Sequence, residues 1–185
     1  MKRFKPLLVF LALILFWVAG VSGFVWLYRT FIVPTPYIEL VSQYSREYKV
    51  PVALIYAVMK AESGFDPNSK SVDEAMGLMQ ILPNTFSWLL QRSGAPYTPE
   101  QIYDPQANIH MGTYYLSWLY QKFGNWPTAL AAYNAGHNKV KQWLENFPEI
   151  FKNGQILPDA APNDETRTYL KRTLSYRIQY EKFYA

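Results

Sequence analysis

Residues 6–28, PLLVFLALILFWVAGVSGFVWLY, contain no charged side chain over 23 consecutive positions. A bilayer core about 30 Å thick takes roughly 20 apolar residues as a helix, so this run predicts a transmembrane segment rather than part of a water-soluble core. Lys2, Arg3 and Lys5 precede it and only Arg29 follows it closely. The positive-inside bias then places the N-terminus in the cytoplasm and the remainder outside the cytoplasmic membrane. The rival reading is a cleaved export signal, whose apolar core runs about 7–15 residues to a small-x-small site. Here apolar sequence continues past Val21-Ser22-Gly23 through Phe24, Val25, Trp26 and Leu27, which favours an uncleaved anchor. The expected organisation is an anchor over residues 1–30, a linker over 31–36 stiffened by Pro34 and Pro36, and a folded domain over 37–185.

The charge balance narrows what that domain can bind. The chain has 18 basic and 14 acidic residues, net +4. The four cations flanking the apolar run account for the whole surplus, leaving 14 of each sign elsewhere. A nucleic-acid partner is therefore not expected, since such a domain carries its positive charge on the fold itself. With no cysteine, disulfides, thiolate metal sites, cysteine nucleophiles and a lipid-modified cysteine are all excluded. His110 and His137 stand without a clustered acid pair, so neither a metal nor a cofactor is expected.

Beyond residue 36 the pattern is helical almost throughout. Residues 37–48 put Ile38, Val41, Tyr44 and Tyr48 on one face, and Pro51 opens a second helix running to Ser63. Asn84 or Thr85 is the expected cap of a helix ending at Gly94. Asp104 caps the longest helix, which Gly124 ends, and Asn138 is the expected cap of residues 139–146. Pro127 opens a helix closed by Ala135-Gly136. A loop over 147–163 precedes a last helix over 164–183. The predicted class is all-α, with at most a minimal β bridge.

Among the carboxylates, Glu62 stands out. It follows Val58 by four positions and Ile55 by seven, on the buried face of its helix. A desolvated carboxyl keeps its proton near neutral pH, as a general acid acting on a sugar oxygen must. Helical spacing alone equally allows an exposed acid at a frayed helix end.

Five words follow in order: Glu62-Ser63-Gly64-Phe65-Asp66-Pro67; Gly77-Leu78-Met79-Gln80-Ile81-Leu82-Pro83; Asn108-Ile109-x-x-Gly112-x-x-Tyr115-Leu116; Ala131-Ala132-Tyr133-Asn134-Ala135-Gly136; and Glu165-Thr166-Arg167-x-Tyr169. Together they resemble the catalytic domain of lytic transglycosylases of the soluble lytic transglycosylase type, glycoside hydrolase family 23, a lysozyme-like helical fold related to goose-type lysozyme. The resemblance covers roughly residues 38–184. It implies that Glu62 protonates the glycosidic oxygen and then acts as base, and that Ser63 orients local backbone beside it. It further implies that Ser71 contacts the sugar next to the cleaved bond, that Met79 and Gln80 line the cleft, and that Tyr133 lies close to Glu62. Asn134 belongs to the same word as Tyr133, and Glu165 supports the far wall. Ser71 and Gln80 also have bland readings, as a turn serine and as an amide satisfying buried backbone; Phe65, Trp88, Tyr97 and Tyr103 could stack on sugar rings, but in a chain with 17% aromatics they more often pack. The chain departs from the pattern at Asp73-Glu74, where a glycine is frequent before Ala75, and at Leu82, where a methionine is frequent.

No second acid falls in a family position for a nucleophile or base. In such enzymes the C6 hydroxyl of N-acetylmuramic acid attacks its own C1, giving a 1,6-anhydro sugar, so Glu62 suffices. The implied partner is the peptidoglycan glycan strand, with envelope-machine or cell-wall-synthesis proteins as further candidates. A hydrolysing muramidase and a non-catalytic peptidoglycan-binding module are the alternatives.

Overall fold

A computed structural model of the chain describes residues 5–28 and 33–184. Lys2, Arg3 and Arg29, on which the expected topology rests, lie outside the described residues, as do Phe31 and Ile32 of the linker. The chain divides into two units, residues 1–36 and 37–185. In the first, helix α1 (Lys5–Leu27) contains a stretch, Leu8–Leu27, long and apolar enough to cross a membrane.

The second unit is helical, with its core built around one central helix. Helices α2 (Ile38–Tyr48) and α3 (Val52–Glu62) are followed by α4 (Pro83–Ser93), α5 (Pro105–Phe123), α6 (Trp126–Ala135), α7 (His137–Asn146) and α8 (Asp164–Tyr184). Every side chain from residue 53 to 59 of α3 is buried. A helix apolar on all sides must be enclosed by other helices, and α8 packs along α3 as its most extensive neighbour, with α2 beside it. Thus the C-terminal end of α3, with Glu62, is held against the N-terminal half of α8, about a hundred residues away in sequence.

Local signals explain most helix ends. Asp104 Oδ1 accepts the Ala107 amide at 2.8 Å, and Gly124 takes φ 75° to end α5, both as expected. Helix α4 behaves otherwise. It begins at Pro83 behind Leu82, with no side-chain cap, because proline already supplies the helical φ and lacks the N–H that a cap would satisfy. Helix α7 likewise starts at His137 behind Gly136, so Asn138 lies inside the first turn and caps nothing. Asn125, not among the expected caps, accepts the Thr128 amide at 2.9 Å and starts α6.

The only regular β structure among the described residues lies inside the 147–163 loop. Strands β1 (Phe151–Lys152) and β2 (Gln155–Ile156) pair antiparallel, Phe151 with Ile156 and Lys152 with Gln155. Asn153 and Gly154 both have positive φ, as a two-residue type I′ hairpin turn requires. Asn125 and Thr128 tie the turn to α6 by donating to the Gly154 carbonyl at 3.0 and 3.2 Å.

Candidate active site

Glu62 is the last residue of α3 and stands in the wall of a cleft of about 740 Å³. Four elements converge there: the end of α3, the 71–82 loop, the end of α6 with the start of α7, and the first turns of α8. Burial pushes the Glu62 carboxyl from its ordinary 4.5 up to about 7. The nearby Tyr169 hydroxyl and the Arg172 charge act against that shift, while the Glu165 charge adds to it. Tyr169 contributes only loosely, since its buried hydroxyl has no partner at full hydrogen-bond geometry. Arg172 is fixed by donating from Nη2 to the Ala61 carbonyl at 2.9 Å, which parks its charge at the end of α3. Glu62 is thus proton-holding near neutrality, with a cation and a phenol beside it to stabilise the carboxylate once the proton leaves.

The 69–82 segment forms the opposite wall and is folded by its own backbone. Met76 and Ile81 exchange both amide hydrogen bonds at 3.0 Å, Gly77 N–H donates to Ser69 at 2.9 Å, and Ser71 N–H donates to Ala75 at 2.9 Å. Helix α5 holds this loop from behind. Asn108, wholly buried, accepts the Met79 amide at 2.8 Å and donates to the carbonyls of Met76 at 3.1 Å and Ile102 at 2.6 Å. Gly77, at φ 77°, passes so close that a Cβ there would lie 2.8 Å from Asn108 Cγ and 2.9 Å from the Ile102 carbonyl oxygen. One helical turn on, Gly112 gives room to Met79, whose Cβ would otherwise sit 2.9 Å from a residue-112 Cβ. The Asn108-x-x-x-Gly112 word therefore encodes a backbone clamp rather than a sugar contact.

Most of the expected site residues meet in this cleft, but not all in the expected manner. Ser71, Gln80, Tyr133, Asn134 and Glu165 line it together with Glu62. Met79 does not. Its side chain is completely buried against Gly112, and only its backbone serves the site, through the carbonyl that accepts the Tyr133 hydroxyl at 2.8 Å. The positive φ of Gln80, 48°, is the turn that sends Met79 inward and residue 80 outward. Ser63 also stands outside the cleft lining. Its hydroxyl donates to the Leu78 carbonyl at 2.8 Å, with the Met59 carbonyl at 3.2 Å as the alternative acceptor, and accepts the Phe65 amide at 3.1 Å, pinning the end of α3 to the loop.

Ser71 and Gln80 make the local bonds of the bland reading and also line the cleft. Ser71 Oγ accepts the Ala75 amide at 3.0 Å and still faces the cleft. Both amide hydrogens of Gln80 are engaged, by the Ser69 and Gly77 carbonyls at 3.0 and 2.9 Å, leaving its Oε1 as the atom for a ligand. Tyr133 is near enough to Glu62 for the carboxylate charge to raise its pKa, after burial, yet its hydroxyl holds Met79 rather than Glu62. Asn134 Oδ1 accepts the Thr166 hydroxyl at 2.7 Å, joining α6 to α8.

Tyr169, Arg172 and Lys139 also line the cleft, although sequence reasoning gave none of them a role there. Glu165, Tyr169 and Arg172 recur at four and then three positions along α8, the spacing of one helix face. That periodicity was a usable signal once Glu165 was in hand.

Glu74 occupies the frequent-glycine position with φ 66°, a left-handed conformation disfavoured for a side chain with a Cβ. Its ion pair with Lys70, 2.6 Å long, lies on the exposed loop surface. Replacing Glu74 by glycine is expected to raise the unfolding free energy by about 1 kcal/mol. Urea unfolding of the two chains measures this, and an unchanged or lower midpoint would show that the loop carries no strain there.

Comparison with known proteins agrees with this architecture. The profile of the Transglycosylase SLT domain family matches residues 39–153. The soluble lytic murein transglycosylase of Escherichia coli K12 is 35% identical over 168 residues, which are 89% of this chain and 26% of that protein. Membrane-bound lytic murein transglycosylase C of Actinobacillus pleuropneumoniae serotype 5b is 30% identical over 165 residues, 78% of this chain and 45% of that one. The crystal structure of the 70 kDa soluble lytic transglycosylase from E. coli superposes with a TM-score of 0.77 at 34% identity, over 90% of this chain and 27% of that chain. An inactive glutamate-to-glutamine variant of lytic transglycosylase Slt from Pseudomonas aeruginosa superposes with a TM-score of 0.73 at 31% identity, over 80% of this chain and 24% of that one. The chain thus spans about a quarter of the length of its soluble relative. With the family profile, the sequence relatives and the lysozyme-type helical fold all in agreement, this chain belongs to the transglycosylase SLT domain family.

Proposed function

We propose that the chain is a membrane-anchored lytic transglycosylase of peptidoglycan. It cleaves the β-1,4 bond between N-acetylmuramic acid and N-acetylglucosamine, with Glu62 as the single acid and base. The observation that carries this reading is the Glu62 carboxyl itself, desolvated in the cleft wall and raised to about 7. An acid so placed is protonated in a useful fraction at neutral pH and can donate to a leaving sugar oxygen. The Slt variant of P. aeruginosa, inactive with glutamine in place of a glutamate, supports a glutamate of this kind as the essential group.

Glu62 protonates the glycosidic oxygen. The resulting carboxylate, favoured by Arg172 and Tyr169, then takes the proton from the muramic C6 hydroxyl as that oxygen closes onto C1. Proton donation and proton removal use one carboxyl in succession, so no second catalytic carboxylate is needed. Ser71, the Gln80 Oε1, Asn134 and Glu165 are the groups that orient the sugars. Met79 and Ser63 act through backbone contacts that hold the walls.

The α1 helix supplies the anchor, and the membrane-bound relative from A. pleuropneumoniae supports it. The positive residues before the apolar run put the N-terminus in the cytoplasm and the domain in the periplasm or cell-wall space, next to its substrate.

Mass analysis of the products from purified peptidoglycan tests the reaction. Muropeptides ending in 1,6-anhydro-muramic acid, one water lighter than hydrolysis products, are expected from the detergent-solubilised full chain. Reducible muramic ends would make it a muramidase on the same scaffold. Strand binding without any product would make it a peptidoglycan-binding module.

A further inference from the structure

Helix α8 buries a stripe of side chains, Thr166, Tyr169, Leu170, Thr173 and Tyr180, and α3 is its most extensive neighbour. Thr166 is paired, its hydroxyl donating to Asn134 at 2.7 Å. Tyr169 and Thr173, one helical turn apart, are not. Among the described residues the buried side-chain polar atoms without a hydrogen-bond partner are their two hydroxyls, Thr113 Oγ1 and Asn163 Oδ1.

A threonine inside a helix ordinarily turns its hydroxyl back onto the carbonyl one turn earlier. Thr173 makes no such bond, so its O–H is left to its neighbour on the stripe. An orphaned hydroxyl wholly closed to water weakens a fold, and valine would fill the same shape without that cost. A bond missing from the resting arrangement points to one made in another state of the site.

That state is the ionised form of Glu62. The Tyr169 hydroxyl is within reach of the Glu62 carboxyl and of the Thr173 hydroxyl. Burial, and then the Glu62 charge, push the Tyr169 phenol well above its ordinary 10, so it donates a hydrogen bond without losing its proton. While Glu62 is protonated there is no charge for Tyr169 to answer, and the contacts stay loose. Once Glu62 has given its proton to the sugar oxygen, its carboxylate draws in the Tyr169 O–H. The phenol oxygen, polarised by that bond, then draws in the Thr173 O–H. No proton changes owner along this chain; two hydrogen bonds form.

We propose that Thr173 is a positioning residue for the reaction, acting through the Tyr169 hydroxyl to stabilise the Glu62 carboxylate after proton donation. The inference rests on the acid role of Glu62 given above and extends it one helical turn into the core. The other charged and titratable groups around Glu62 are Asp164, Glu165 and Arg172 on α8, Tyr133 on α6, Lys139 on α7 and Asp73 on the loop. All of them are kept in the variants compared below, so none accounts for a difference between those variants.

Infrared difference spectra of the detergent-solubilised full chain across pH read the Glu62 carboxyl directly, its band being the one lost in Glu62→Gln. In Thr173→Val the midpoint of that titration is expected to rise by about half a pH unit, a roughly threefold weaker acid. Tyr169→Phe should raise it by about one unit, or roughly tenfold. Thr173→Ser keeps the hydroxyl and loses the methyl group, and should retain the unmutated midpoint. Adding Thr173→Val to Tyr169→Phe should shift nothing further, because the middle of the chain is already gone. On peptidoglycan the high-pH fall of kcat should move by the same amounts with KM unchanged, since Thr173 touches no sugar. An unshifted midpoint in Thr173→Val overturns the proposal, as does a shift that persists beside Tyr169→Phe. A serine variant that behaves like valine also overturns it, by assigning Thr173 to packing. Absence of cleavage by the unmutated chain would sink the transglycosylase reading, and the infrared midpoints would still decide the role of Thr173.

Discussion

Glu62→Gln is expected to lower turnover on purified peptidoglycan by about 10³-fold, with little change in strand affinity. Glutamine keeps the shape of the side chain and cannot deliver a proton to the leaving oxygen. The same substitution has a pH signature in stability. In the folded chain the Glu62 carboxyl holds its proton up to about 7, whereas in the unfolded chain it releases it near the ordinary 4.5. Between those values the folded state binds more protons than the unfolded state, so this group's contribution to stability falls as pH rises. It is fully present below pH 4.5 and lost above about 7, where the carboxylate is ionised in both states and its burial opposes folding. That gap corresponds to at most about 3 kcal/mol. The glutamine variant is therefore expected to gain stability relative to the unmutated chain at pH 8–9 and to lose that advantage at pH 4. Unfolding titrations at the two pH values measure the difference. Activity of the unmutated chain should fall through about pH 7 as the acid loses its proton. Equal activity in the two proteins, or a flat rate between pH 6 and 9, would remove Glu62 from the acid role.

How far the sequence predicts this site depends on the range of the interaction involved. Asp104, Gly94 and Gly124 act through bonds within one helical turn, and their spacing located the helix ends correctly. Asn84 and Asn138 are also capping types, yet the helices begin one position before each, at Pro83 behind Leu82 and at His137 behind Gly136. The Asn153-Gly154 pair carried a legible hairpin signal, but its four strand residues are too few to alternate detectably. At the site, the spacing of Glu62 from Ile55 and Val58 put it on the buried face of its helix but equally allowed an exposed helix end, and only the ordered words that follow it favoured the first. Arg172 and Tyr169 were hidden because they meet Glu62 through the α3–α8 packing, across more than a hundred residues. Met79 misled for a different reason. Within a run of apolar residues, nothing local shows that the backbone reverses hand at Gln80, so that 79 enters the core and 80 the cleft.

Asn108→Ala is expected to cost about 3–5 kcal/mol, because it removes three hydrogen bonds from a site closed to water. The Met76 carbonyl would keep its bond from Ile81, so the loss concentrates on the Met79 amide and the Ile102 carbonyl. For a domain of this size that corresponds to a fall in Tm on the order of 10 °C. Activity should suffer as well at temperatures where the variant is still folded. The freed loop carries Gln80, and its Met79 carbonyl holds the Tyr133 hydroxyl, so both cleft walls lose a fixed point. A displacement of about 1 Å among positioned groups is enough to lower turnover roughly 10²-fold. Asn108→Leu separates the causes: it restores apolar volume without restoring the bonds. If polarity is what matters, Leu should be as inactive and as destabilised as Ala. If Leu recovers both Tm and turnover, the loop is held by packing, and the Met76–Ile81 bridge alone sets its path. Gly77 supplies the independent check, since any Cβ there meets the same amide. Gly77→Ala should reproduce the loss of turnover while leaving every side-chain donor and acceptor of the cleft in place.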